Sequence, residues 1–121
     1  MEIKWDTASL DLQNLVSISR GDKGQVLKYL NQFQELVPER IQYLKTGMQE
    51  GDRRKIRQIL HQMSPQLQFF GIPNVLTPIR RLEHEYETMS LEELEDLIDD
   101  ILASLDRAMK EVEHVLKDYF Q

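Results

Sequence analysis

From Leu27 to Val115 the apolar residues recur at gaps of three and four, and only short interruptions break the pattern. That period belongs to the α-helix, with one apolar stripe per helix, and it leaves little room for any other element. Leu, Ile, Glu, Gln, Lys and Arg are abundant, glycine and proline are few, and alternating β-branched runs are missing. All of these favour helix over strand. At 121 residues and 40% hydrophobic, the chain has enough apolar material for one domain around one core. The expected fold class is all-α.

The interruptions place the helices. Ser19-Arg20-Gly21-Asp22 closes a short first helix over about Ser9 to Ile18. A long second helix follows from about Lys23 to Gln49, with Leu27, Leu30, Phe33, Leu36, Val37, Ile41, Leu44 and Met48 inside. Pro38 interrupts it, but the apolar phase resumes beyond, so a kink is expected rather than a loop. Gly51 suits a helix C-cap and Asp52 the next N-cap, so a third helix should span about Arg53 to Phe69. Gly71-Ile72-Pro73-Asn74 ends it, and the proline suits the first turn of a fourth helix, about Asn74 to Glu87. Ser90 and Glu93 form a capping box for the last helix, which runs towards Tyr119. The expected architecture is an antiparallel four-helix bundle over about 23–119, with the short helix of about 9–18 capping one end.

Composition also bears on function. A formal charge of -6 argues against nucleic acid, whose phosphates call for a basic surface. The acid gathers at Glu92 to Asp100, and Arg53, Arg54, Lys55 and Arg57 form a basic cluster. With no cysteine there is no disulfide framework and no thiolate metal site, which fits a reducing compartment. The N-terminal residues lack a signal-peptide h-region, and no apolar stretch approaches the roughly 20 residues that span a bilayer. The expectation is a cytoplasmic domain without direct membrane contact, compatible with being one module of a membrane-anchored protein.

The third helix carries the candidate chemistry. Ile56, Leu60, Met63, Leu67 and Phe70 fall within roughly ±40° of one direction, at about 100° per residue. His61 points roughly 140° away from it, towards solvent. Its neighbours one turn off are Arg57, Gln58, Ser64 and Pro65, and Gln68 continues the outward stripe. Pro65 lacks the N–H that would serve the carbonyl of His61, an interior defect that costs roughly 3 kcal/mol. Distortion of the backbone at His61 is therefore expected. Phe69 and Ile72 lie off the core direction, suited either to an apolar rim beside His61 or to sealing the end of the bundle. His84 and His114 sit among charged residues without a His-Glu-x-x-His pattern, so no metal site is expected. No Gly-rich phosphate loop appears.

Taken in order, these features resemble the histidine phosphotransfer (HPt) domains of bacterial multistep phosphorelays. The matching features are Gly21-Asp22, Phe33 with Pro38-Glu39-Arg40, Gly51-Asp52, His61 within a helix, Gly71 ten residues later, and Leu82-Glu83. The resemblance covers about Leu10 to Leu116. It implies a phosphoryl carrier that accepts the group from a receiver-domain aspartate onto the distal nitrogen of His61 and passes it to a second receiver. An imidazole with an ordinary pKa of about 6.5 is a nucleophile at neutral pH without a dedicated base. The resemblance further implies Mg²⁺ and most catalytic groups on the receiver, no cofactor on this domain, no autokinase activity, and a monomer, free-standing or attached to a hybrid sensor kinase. Docking would use Pro65, Gln68, Phe69, Gly71 and Ile72.

The sequence departs from the family at one place. The usual His-x-x-Lys-Gly is here His61-x-x-Ser64-Pro65. Ser64 still offers a hydroxyl, and Arg57, one turn before His61, is the candidate replacement cation. Two other readings compete. One is a receiver-binding adaptor that takes no phosphate. The other is the dimerisation and phosphoacceptor segment of a sensor kinase, which usually has an acidic residue after the histidine, where this chain has Gln62.

Overall fold

A computed structural model describes residues 12–72 and 75–120. Its elements are α1 (Gln13–Ile18), α2 (Lys23–Glu50), α3 (Arg53–Phe69), α4 (Leu76–Glu85) and α5 (Leu91–Phe120). The described residues contain no strand. The start of the first helix before Leu12, and the placing of Pro73 and Asn74 at the start of α4, lie outside the described residues.

Each helix end has a chemical cause. Asp22 caps α2 by accepting from the Gly24 and Gln25 amides at 2.8 and 3.3 Å. Asp52 does the same for α3 through the Lys55 amide at 3.0 Å. Ser90 accepts from the Glu93 amide at 3.1 Å, the hydroxyl half of the capping box expected at the head of α5. Gly51 turns left-handed at φ 66°, which lets the Asp52 amide reach back to Gly47 O at 2.9 Å. Gly71 repeats the device at φ 62°, with the Ile72 amide on Leu67 O at 3.2 Å. Neither Pro38 nor Pro65 breaks its helix: α2 and α3 run through them.

Five helices pack on one core. α2 lies against α3 and α5, α4 lies against the same two, and α1 rests on α2. Val26, Leu30, Phe33, Val37 and Leu44 of α2 meet Ile56, Ile59, Leu60, Met63 and Leu67 of α3 in the buried cluster. Ile79 and Leu82 of α4 join it, with a stripe of α5 from Leu94 to Val115. Gly47 permits close approach of α2 and α3, since a Cβ there would stand 2.9 Å from Cγ1 of Ile56. One core expectation changes, and one residue joins the core that the apolar stripe had not named. Leu36 is 40% exposed, because it trails the Phe33–Val37 direction by most of a quarter turn. Ile59 is buried, widening the apolar face of α3 towards its neighbours.

α4 ends at Glu85, two residues short of the sequence expectation. The Thr88 and Met89 amides both close on Glu85 O, at 3.0 and 2.9 Å. Arg53, from the first turn of α3, donates to the carbonyls of Tyr86 and Met89. A cation on those carbonyls stabilises a helix terminus and removes the reason to continue it.

An aromatic cluster closes the α2–α3 contact near the end of α3. Phe33 and Phe70 have centroids 4.6 Å apart, Phe69 and Phe70 5.4 Å, and Tyr29 and Phe69 5.2 Å. Phe33 is fully buried. Its replacement in Phe33→Ala should lower the unfolding free energy by about 3–5 kcal/mol. Urea denaturation should show this as a fall in midpoint at unchanged slope.

Candidate functional site

His61 stands at the middle of α3, on the side facing away from the core. Its side chain is 70% exposed. The imidazole is nonetheless held, because Nδ1 lies 2.9 Å from Oε1 of Glu83 on α4. An ionised carboxylate can only accept, so Nδ1 carries the proton in this pair. In the neutral ring the lone pair then sits on Nε2, the nitrogen distal from the backbone. Glu83 is only 24% exposed, so its carboxylate is anchored in the α3–α4 seam while the ring it orients faces solvent.

Three contacts set that seam. Arg53 reaches Tyr86 O at 3.0 Å, the Arg57 guanidinium carbon lies 5.5 Å from the centre of the Tyr86 ring, and His61 meets Glu83. Glu83 did not stand out as a partner of His61 in the sequence. The Leu82-Glu83 pair was the available signal, since Leu82 is buried and the next residue is carried to the edge of the core.

On the other flank, Gln62 faces α2. Its Oε1 accepts from Nη1 of Arg40 at 3.0 Å. Arg40 was likewise unmarked as a site residue, although it closes the Pro38-Glu39-Arg40 step. The adjacent Glu39 accepts from the Tyr43 hydroxyl at 2.9 Å, holding that phenol above its ordinary range.

The expected site residues divide. Ser64 is half-buried, and Pro65 and Gln68 are exposed, all on α3 with His61. Arg57 is half-buried and its guanidinium engages the Tyr86 ring, a cation–π contact on the α4 side. Phe69 is half-buried between Tyr29 and Phe70. Ile72 is 3% exposed and belongs to the core, which settles its role as a seal rather than a rim. Gly71 is required by the left-handed turn that delivers Ile72 there.

Arg53 caps α4, Lys55 pairs with Glu50 at 3.4 Å, and Arg57 covers Tyr86, which leaves Arg54 exposed. His114 pairs with Asp118 on α5 at 2.9 Å. Among the described residues no group of three or more His, Asp or Glu is placed to hold a metal ion, and no helix is long and apolar enough to cross a membrane. No family model matches the chain, and no curated protein or solved structure matches it either.

The hydrogen bond from Nδ1 has a direct spectroscopic consequence. In wild-type protein above the titration range of His61, two-bond ¹H–¹⁵N spectra should show Nε2 as the unprotonated nitrogen. In Glu83→Ala the population should shift towards the opposite tautomer, with no change elsewhere in α3. An unchanged pattern would mean that Glu83 does not set the tautomer.

Proposed function

We propose that this chain is a phosphoryl carrier of a two-component phosphorelay, a histidine phosphotransfer domain built as an antiparallel four-helix bundle from α2 to α5. The observation that carries the reading is the exposed His61 with Nδ1 on Glu83 and Nε2 turned to solvent. A nucleophile that must enter another protein's active site needs both features, exposure and a fixed lone pair. The order of motifs around it supports the same reading, with Leu82-Glu83 acquiring a role through that hydrogen bond.

The step is an exchange between two proteins. Nε2 attacks the phosphorus of a receiver's aspartyl phosphate, the Nε2–P bond forms, and the P–O bond breaks with its electrons remaining on the aspartate. No proton moves at Nε2. The product ring keeps its Nδ1 proton and becomes cationic, and the Glu83 carboxylate stabilises that charge. Positioning and charge neutralisation dominate phosphoryl transfer. The partner receiver supplies Mg²⁺ and the remaining catalytic groups, and this domain binds no cofactor of its own. The setting that fits is cytoplasmic, as a monomer or as a module of a hybrid sensor kinase. Pro65, Gln68 and the exposed edge of Phe69 are the docking residues beside His61, with Ser64 donating to the phosphoryl group.

A receiver-binding adaptor is the second reading, and one observation favours it: Ser64 and Pro65 stand where the family carries lysine and glycine. One experiment separates the two. Phosphorylated receiver domains from the same organism are mixed with wild-type protein and with His61→Ala. Acid-labile, alkali-stable label on the wild type alone is the expected result. Binding without any transfer of label would establish the adaptor and end the carrier reading.

A further inference from the structure

We propose that Arg40, borne on α2 rather than on the histidine's own helix, is the cation that contacts the phosphoryl group on His61, in the place the lysine would have taken. The inference rests on the carrier reading and adds a residue to its site. Four observations carry it. Arg40 donates to Oε1 of Gln62, the residue next to His61 in sequence, at 3.0 Å, which places its guanidinium on the α2 flank of the histidine's helix. Its partner there is a neutral amide, not a carboxylate. The nearest carboxylate in sequence, Glu39, is engaged by the Tyr43 hydroxyl at 2.9 Å. Arg57, the other cation within one turn of His61, lies over the Tyr86 ring on the α4 side.

The charges around His61 are therefore arranged by side. Glu83 stands on the α4 flank, where it meets the ring proton, and Arg40 stands on the α2 flank. A phosphoryl group on Nε2 brings close to two negative charges, which the guanidinium would rather contact than an amide oxygen. The exchange requires only a change of rotamer, from Gln62 Oε1 to a phosphoryl oxygen. The Gln62 amide group, released, offers its own N–H donors to the same oxygens.

The test uses the whole protein and phosphoramidate as the phosphoryl donor. Nε2 forms its bond to phosphorus while the P–N bond of the donor breaks and ammonia leaves. Intact mass and ³¹P spectra follow wild type, Arg40→Gln and Arg40→Lys, with circular dichroism to verify folding. Arg40→Gln should shorten the phosphohistidine lifetime by about two- to fivefold, the range for one exposed charge pair. It should also raise the midpoint of the phosphoryl group's second ionisation in a ³¹P titration, because a nearby cation favours the dianion. Arg40→Lys should restore both in part. The titration shift separates a charge contact from a packing role. If His61 phosphorylates and Arg40→Gln leaves lifetime and midpoint as in wild type, Arg40 is excluded while the carrier reading stands. If the wild-type histidine takes no phosphoryl group from phosphoramidate, both fail together.

Discussion

The seam between α3 and α4 is the constraint on which the site depends. α3 spends its inward face on the core through Ile56, Ile59, Leu60, Met63 and Leu67. What remains is a flank that meets α4, a flank that meets α2, and an outer strip with His61. Arg53 holds the turn after α4 by donating to the carbonyls of its C-cap Tyr86 and of Met89, and Arg57 rests on the Tyr86 ring. With that end fixed, Glu83 falls level with His61. A shift of α4 by one residue would swing Glu83 by about 100° and leave Nδ1 without its acceptor.

The second flank follows from how closely α2 and α3 approach. Gly47 brings the helices together at Ile56, where any side chain would press on Cγ1, and the aromatic cluster of Phe33, Phe69 and Phe70 closes the far end. Between these two points α2 presents Arg40 to Gln62. Both flanks of His61 are therefore set by contacts that themselves carry no chemistry. This explains why α3 runs on through the proline four residues after His61: its position is fixed by its neighbours on either side and does not rely on every backbone hydrogen bond.

How much of this the sequence disclosed follows from the range of each interaction. The ends of α3 were legible to the residue, since Asp52 and Gly71 act on their own helix. Leu36 was misplaced because Phe33 and Val37 define the inward direction and a residue on the shoulder looks the same by period alone. The end of α4 was read two residues too late because the group that closes it, Arg53, lies 33 residues away from Tyr86. The partners of His61 and Gln62 were hidden for the same reason, each lying 22 residues away along the chain. Local chemistry is written in local sequence, whereas a pairing between helices depends on register, which no single periodicity contains. Ile72 shows the boundary between the two: its side chain was ambiguous on the helical wheel, but the left-handed Gly71 before it turns it into the core.

Exposure of His61 has one more consequence for the carrier reading. At 70% exposure the imidazole sits in nearly bulk solvent, where two unit charges 4 Å apart interact by only about 1 kcal/mol. At the effective dielectric of a covered protein surface the same pair interacts by about 4 kcal/mol. Glu83 and any cation beside the ring are therefore weak influences on the free domain and strong ones once a partner covers them. A site of this kind gains its electrostatics from the docking event. On the carrier reading, the residues that orient the ring in the free protein would become effective in transfer only where a receiver has excluded the water, and recognition and reactivity would be coupled through solvent.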